Sequence, residues 1–217
     1  MVLAMEGDPN QTIDDKHFRV AIFGSARIKK GDPNYNLVYT LAKMISGAGM
    51  DIVTGGGPGL MNAASEGHHA GRKDSEIHSI GLKINLPKED KEASHLDIKK
   101  EFNRFSNRLD NFMKLSNAVV IAPGGVGTLL ELFYTWQLMQ VKHICNIPMI
   151  LLGDIWLELV QWVKKYPLKN KLLNIEDVEL LFLAKNCEEA FMIIKQAYEG
   201  YEKGDSNFCL NYNKYKI

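Results

Sequence analysis

The sequence predicts an α/β fold: a doubly wound parallel sheet of the Rossmann-like kind, with helices on both faces. Two observations predict it. Short apolar runs alternate with stretches of helical period, and three of those runs stop at glycine-bearing loops: Phe23 at Gly24-Ser25, Thr54 at Gly55-Gly-Gly-Pro-Gly59, and Ala122 at Pro123-Gly-Gly-Val-Gly127. Repeated strand–helix–strand units close in the right-handed sense into a parallel sheet covered on both sides. Strands buried on both faces read as continuous apolar runs, as these do.

The first strand is Arg19 to Phe23. A helix follows between Pro33 and Gly47, where Leu37, Leu41, Met44 and Ile45 recur at helical spacing and Gly47 and Gly49 supply the stop signal. Asp51 to Thr54 is the second strand, and a second helix runs from Leu60 to about His69. Pro58 suits its first position, where a missing N–H costs nothing. A third strand is expected around Ile77 to Leu82, and Lys83 to Lys100 reads as a charged connection. From Arg104 to Leu115, Phe105, Leu109, Phe112 and Met113 form one helical stripe, with Arg104, Arg108 and Asn111 on an adjoining one. Ala118 to Ala122 is a strand, Leu129 to Val141 a helix, Pro148 to Leu152 a strand, Ile155 to Lys164 a helix and Cys187 to Lys203 a closing helix.

The 217 residues suit one domain, read as 18–217 after a polar N-terminal segment, 1–17, that is expected to be flexible. Apolar residues at 46% and charged residues at 24% can fill a core and cover a surface. With 26 basic and 26 acidic residues the formal charge is zero, so nothing favours a nucleic-acid polymer or an anionic membrane as partner. Cys145, Cys187 and Cys209 are odd in number and lack zinc-ligand or paired spacing, and read as reduced thiols. There is no signal-peptide pattern and no run of about 18 apolar residues. A cytoplasmic protein is expected.

In such sheets ligands bind beyond the carboxyl ends of the strands, so the three glycine loops are expected to share one crevice. Glycine admits close backbone approach, and a helix start offers unpaired N–H groups, which together cradle phosphate. Neither the loop with Gly57-Pro-Gly59 nor that with Gly125-Val-Gly127 carries G-x-G-x-x-G, and the P-loop pattern is absent from the chain, which disfavours dinucleotides and triphosphates and leaves a monophosphate. Thr128 to Glu131 also spells T-x-x-E, a capping box, so Glu131 either ties off its own helix or faces the crevice. Arg108 is likewise either a solvated helix residue or part of a site. His68 and His69 read as ordinary helix residues, and Trp136, Trp156 and Trp162 as core or dimer packing.

The stretch Pro123-Gly-Gly-Val-Gly-Thr-Leu-Leu-Glu131, preceded by Arg108, resembles the PGGxGTxxE signature of the Lonely Guy (LOG) family, long labelled lysine decarboxylase-like. The resemblance runs from about Phe18 to Lys165 and includes the Gly24-Ser25 and Gly55-Gly-Gly-Pro-Gly-Leu-Met61 loops in family order. It implies a phosphoribohydrolase that releases a free base and ribose 5-phosphate from a nucleoside 5′-monophosphate, AMP or a cytokinin riboside monophosphate. It further implies Arg108 and Glu131 as the catalytic pair, Gly125, Val126, Gly127 and Thr128 as the phosphate cradle, and a homodimer with the site near its interface. Gly24, Ser25, Gly56, Gly57 and Met61 are the further substrate-facing candidates, and Asn62 a weaker one.

No cofactor and no metal is expected. The chain departs from the plant-like pattern at its shorter glycine loop, at Leu130, where that pattern has a second glutamate, and at Leu109, where it has lysine. These departures bear on the base rather than the reaction. Cleaving an N-glycosidic bond builds positive charge on ribose, which a fixed carboxylate can stabilise, or it can activate water. Arg108 is expected to orient the ribose or Glu131 and to keep that carboxylate ionised. Two other readings stand beside this one. Pyridoxal-phosphate decarboxylation needs a poised lysine, and no lysine here sits in a motif that singles it out. A non-catalytic nucleotide or cofactor carrier would use the same cradle.

Overall fold

Short apolar strands satisfy their backbone groups only beside other strands, and bury both faces only beneath helices. The computed structural model describes residues 17–73, 76–85 and 92–204, and its order is β1 (Arg19–Phe23), α1 (Pro33–Gly47), β2 (Asp51–Thr54), α2 (Leu60–Gly71), β3 (Ser79–Ile84), β4 (Ile98–Phe102), α3 (Phe105–Leu115), β5 (Ala118–Ile121), α4 (Val126–Gln140), β6 (Met149–Leu152), α5 (Trp156–Val163), α6 (Ile175–Val178), β7 (Leu181–Ala184) and α7 (Cys187–Glu202). A π-helical stretch, Lys164–Leu168, carries α5 on through Pro167.

The strands form one seven-stranded sheet in the order β4-β3-β2-β1-β5-β6-β7. Every pairing is parallel. Alternate residues of each strand feed opposite cores. Ala21, Phe23, Val119 and Ile121 pack with Phe112 of α3, Leu132 and Trp136 of α4 and Trp156 of α5. Val20, Ile22, Val120 and Ile150 pack with Leu41 of α1, Leu60 of α2 and Ile194 of α7. This is the doubly wound architecture that the strand–helix alternation predicts.

Helix starts follow local chemistry. Asp32 caps α1 by accepting the Asn34 N–H at 2.8 Å, with Pro33 in the first turn. Gly67 and Gly71 let α2 lie directly against α1, because a Cβ at either would collide with the backbone of Tyr39 or Lys43.

Several boundaries differ from expectation. β3 sits about a residue or two later than Ile77 to Leu82, and Pro58 precedes the α2 cap, Gly59, instead of opening the helix. The end of the supposed connection Lys83 to Lys100 belongs to β4, an edge strand on which only Lys100 and Phe102 are buried. The other edge strand, β7, has no counterpart in the sequence reading. Edge strands carry charged or half-exposed side chains, so neither shows a buried run. Phe105, placed in the apolar stripe, is exposed, and so is Trp162, while Trp136 and Trp156 are in the core.

Of the three supposed thiols, Cys145 is disulfide-bonded. Cys187 is free and buried. Cys209 and the whole of residues 1–16 lie outside the described residues. Spacing along the chain does not report distance in space, so the cysteines no longer speak for a reducing compartment. No helix among the described residues is long and apolar enough to cross a membrane.

The α1–α2 contact generates a stability prediction. Gly67→Ala places a methyl group against the Tyr39 carbonyl and should cost about 1–3 kcal/mol, as overpacking does. Thermal unfolding followed by circular dichroism should show the midpoint several degrees lower; an unchanged midpoint would contradict the close approach.

Candidate active site

From β1 the chain first winds outward to β4, then returns to lay β5 on the other side of β1. β2, β1 and β5 thus lie side by side with the winding reversing at β1, the place where such sheets bind ligands in a crevice beyond the carboxyl ends of their strands. The three glycine loops are knitted together there. The Ser25 N–H donates to the Pro123 carbonyl at 3.0 Å, and the Ser25 carbonyl accepts from the Leu60 N–H at 2.9 Å. Gly24 is packed against Leu60 and Ala122, and Gly59 (φ 70°) leaves no room for a Cβ beside the backbone of Ser25 and Ala26. Gly24 and Ser25 thus fasten the β1 loop to its two neighbours.

Gly56, also at φ 70°, donates its N–H to Thr54 Oγ1 at 3.1 Å, and its carbonyl holds the Ala93 N–H at 2.9 Å. Met61, on the first turn of α2, lies back over Gly55 and Gly57: a Cβ on Gly57 would stand 2.8 Å from its Cε. Asn62 turns away from this wall. Its amide donates to Tyr35 Oη at 2.8 Å, and its oxygen accepts the Ser94 N–H at 2.7 Å. It is a strut between α1, α2 and the segment before β4, not a ligand group.

Arg108 projects from α3 into the same region and is only 8% exposed. Its Nε donates to the Leu82 carbonyl at 2.7 Å, its guanidinium lies 5.1 Å from the centre of the Phe112 ring, and its Nη1 is 3.6 Å from Glu131 Oε1. A Cβ on Gly55 would come within 2.5 Å of Nη2, so the glycine makes space for the guanidinium. The structure therefore decides the two alternatives left open by the pattern. Arg108 is not a solvated helix residue, and Glu131 does not cap its helix.

The reason is where α4 begins. It starts at Val126 with Gly125 as its cap, three residues earlier than the sequence suggested. Thr128 is then inside the first turn and not at the cap, and Glu131 lies one turn further on, buried against Arg108. The first helical hydrogen bond runs from the Leu129 N–H to the Gly125 carbonyl at 2.9 Å. The N–H groups of Val126, Gly127 and Thr128 consequently have no partner within the helix, and this end carries its partial positive charge. Gly125, Val126 and Gly127 are exposed, with open space around both glycines, whereas Thr128 is buried with its side chain packed over Gly124.

Burial raises the Glu131 carboxyl from 4.5 to about 7, against the opposing charge of Arg108. The expectation that Arg108 keeps Glu131 ionised is thus corrected: desolvation of the charged form outweighs the guanidinium, which sits beyond hydrogen-bond distance. A carboxyl that titrates near neutrality can serve as acid or base.

The contacts that hold Arg108 were missed by sequence reasoning. Phe112 stands four residues on, the spacing that brings helical side chains together, but its place in the apolar stripe points to core alone. The Leu82 carbonyl has no local signal at all. His68, expected to be an ordinary helix residue, is buried with Nε2 3.0 Å from the Met50 carbonyl, and burial lowers its pKa to about 4. His69 stacks on His95 with ring centres 4.2 Å apart.

The raised Glu131 pKa implies a pH signature. The folded state holds a proton on Glu131 between about 4.5 and about 7 that the unfolded chain has lost, so this group's contribution to stability is complete below the lower value and disappears as pH rises through the upper one. Urea unfolding of wild type and Glu131→Gln across that range should show the wild type losing stability relative to the variant as pH rises. A constant difference would contradict the burial.

Comparison with solved structures finds this fold elsewhere. The molybdenum cofactor binding protein of the phototrophic bacterium Rippkaea orientalis shares 20% identity with a TM-score of 0.65, over 85% of this chain and 99% of that one. The molybdenum cofactor carrier protein of Chlamydomonas reinhardtii shares 20% identity with a TM-score of 0.61, over 83% and 98%. DNA processing protein A of Helicobacter pylori is more distant, at 16% identity and a TM-score of 0.53, over 82% and 80%. At such identities the likeness shows the fold alone. No curated protein matches the sequence. The family described as "Possible lysine decarboxylase" matches residues 61–194, a stretch that contains Met61, Arg108, the whole PGG loop and Glu131, and the chain belongs to that family, the Lonely Guy type.

Proposed function

We propose that the protein hydrolyses the N-glycosidic bond of a nucleoside 5′-monophosphate, AMP or a cytokinin riboside 5′-monophosphate, to the free base and ribose 5-phosphate. The observation that carries this reading is the buried Arg108–Glu131 pair, 3.6 Å apart, set one helical turn beyond an exposed, glycine-flanked helix start. The phosphate would accept hydrogen bonds from the N–H groups of Gly125, Val126, Gly127 and Thr128. Anchoring that remote end holds the ribose in reactive geometry near the carboxyl. As the bond to the base breaks, the ionised form of Glu131 stabilises the cationic ribose or takes a proton from the water that adds to it. Arg108 orients the carboxyl, and Gly56, Gly57 and Met61 line the wall for ribose or base.

A lysine-dependent decarboxylation has no support in the site, where the charged groups in contact are an arginine and a glutamate. The carrier reading does draw on an observation, since two solved proteins of this fold are named for binding or carrying the molybdenum cofactor. We further propose a cytoplasmic homodimer with no nucleic-acid or membrane partner. The exposed apolar Leu130 and Phe133 on α4, beside Glu131, support the dimer.

Incubating the purified protein with AMP should release adenine and ribose 5-phosphate, resolved by chromatography. Glu131→Gln should lower turnover by about 10²- to 10⁴-fold, the usual worth of a positioned acid or base, while AMP still binds. Undiminished turnover in that variant would remove Glu131 from the chemistry. Nucleotide binding without release of any base, across several monophosphates, would establish the carrier.

A further inference from the structure

The amino ends of the central strands, at the rim opposite the crevice, bring together three side chains that the proposed reaction does not use. His17 lies just before β1, Asp51 opens β2, and His78 immediately precedes β3. One ligand atom from each stands within 4.8 Å of the other two. His17 Nδ1 is 3.3 Å from Asp51 Oδ1, and the His17 and His78 rings lie within 20° of parallel with centres 6.4 Å apart. Asp51 is buried and His17 is about one-fifth exposed, so the group is approached from solvent past the imidazoles.

The carboxylate is held in place. Oδ1 accepts the His78 backbone N–H at 2.8 Å, and Oδ2 is 3.4 Å from Arg19 Nε. A ligating carboxylate is ordinarily supported by such neighbours. With its backbone N–H on this carboxylate, His78 is placed so that its imidazole stacks on His17 and a ring nitrogen comes within reach of an ion bound by the other two.

We propose that His17, Asp51 and His78 form a site for a late first-row divalent cation such as Zn²⁺, which fastens the segment before β1 to the amino ends of β2 and β3. Nitrogen and oxygen ligands about 2.0–2.2 Å from Zn²⁺ stand about 3.4 Å from one another in a tetrahedral shell, which the His17–Asp51 separation already matches. Two imidazoles and one carboxylate select such an ion, whereas Mg²⁺ and Ca²⁺ require more oxygen ligands than the cluster offers. Arg19 lies toward the other oxygen, Oδ2, and leaves Oδ1 as the carboxylate atom nearest the His17 imidazole. Three protein ligands leave a position for water. The distance from the crevice makes the role structural, independent of the proposed hydrolysis.

The test is a calorimetric titration of the full chain with Zn²⁺ alone at neutral pH, after treatment with chelator. One equivalent should bind, and Zn²⁺ should raise the thermal midpoint. His17→Ala and His78→Ala should each weaken binding by about tenfold or more and abolish the thermal shift. Both side chains reach solvent, so the variants should fold, as circular dichroism will show, and either alone decides the matter. Co²⁺ should give visible bands of nitrogen–oxygen coordination without the charge-transfer band of a thiolate, which separates this cluster from Cys187. Absence of stoichiometric binding in the wild type, or undiminished binding in the folded variants, overturns the proposal.

Discussion

A guanidinium and a carboxyl buried side by side at the mouth of the crevice impose their requirements on much of the structure around them. Charge taken out of water is costly unless each group finds partners. Arg108 meets this with the Leu82 carbonyl, the Phe112 ring and Glu131. Each partner comes from a different element, β3, α3 and α4, so the pair exists only when sheet and helices are all in place. Gly55 leaves room for the pair, since a Cβ there would press on the guanidinium as it now lies. For Glu131 the cost of burial outweighs the attraction of the guanidinium, and its carboxyl is raised to about 7.

The second constraint is topological. Placing β1 between β2 and β5 gathers the loops after these strands on one rim, and the hydrogen bonds of Ser25 bind the three into a single wall. Gly24 and Gly59 make that close contact possible. On this rim Gly125 and Gly127 have open space around them, at the start of α4, where the N–H groups of the first turn have no partner within the helix. The glycines of this rim thus divide between those that bring loops together and those that leave backbone open to an anion.

The two rims of the sheet differ in chemistry. At the carboxyl rim stand an open helix start and a buried acid with its arginine. At the amino rim, Asp51 is shared among His17, Arg19 and the backbone of His78. Strands buried along their length leave their ends as the places where polar side chains can gather without breaking the core.

By itself the sequence determined the fold class, because buried parallel strands and amphipathic helices write their periods into neighbouring residues. It also exposed the PGG loop, and it offered Arg108 and Glu131 as candidates through resemblance to a family. Only the tertiary structure decided that these two meet, since the pattern around Thr128 and Glu131 equally spelled a helix cap until α4 was seen to begin at Val126. The edge strands β4 and β7, the disulfide at Cys145 and the gathering of His17, Asp51 and His78 were likewise hidden. Each depends on segments distant in the chain lying side by side, and side-chain periodicity reports only what a residue's near neighbours require.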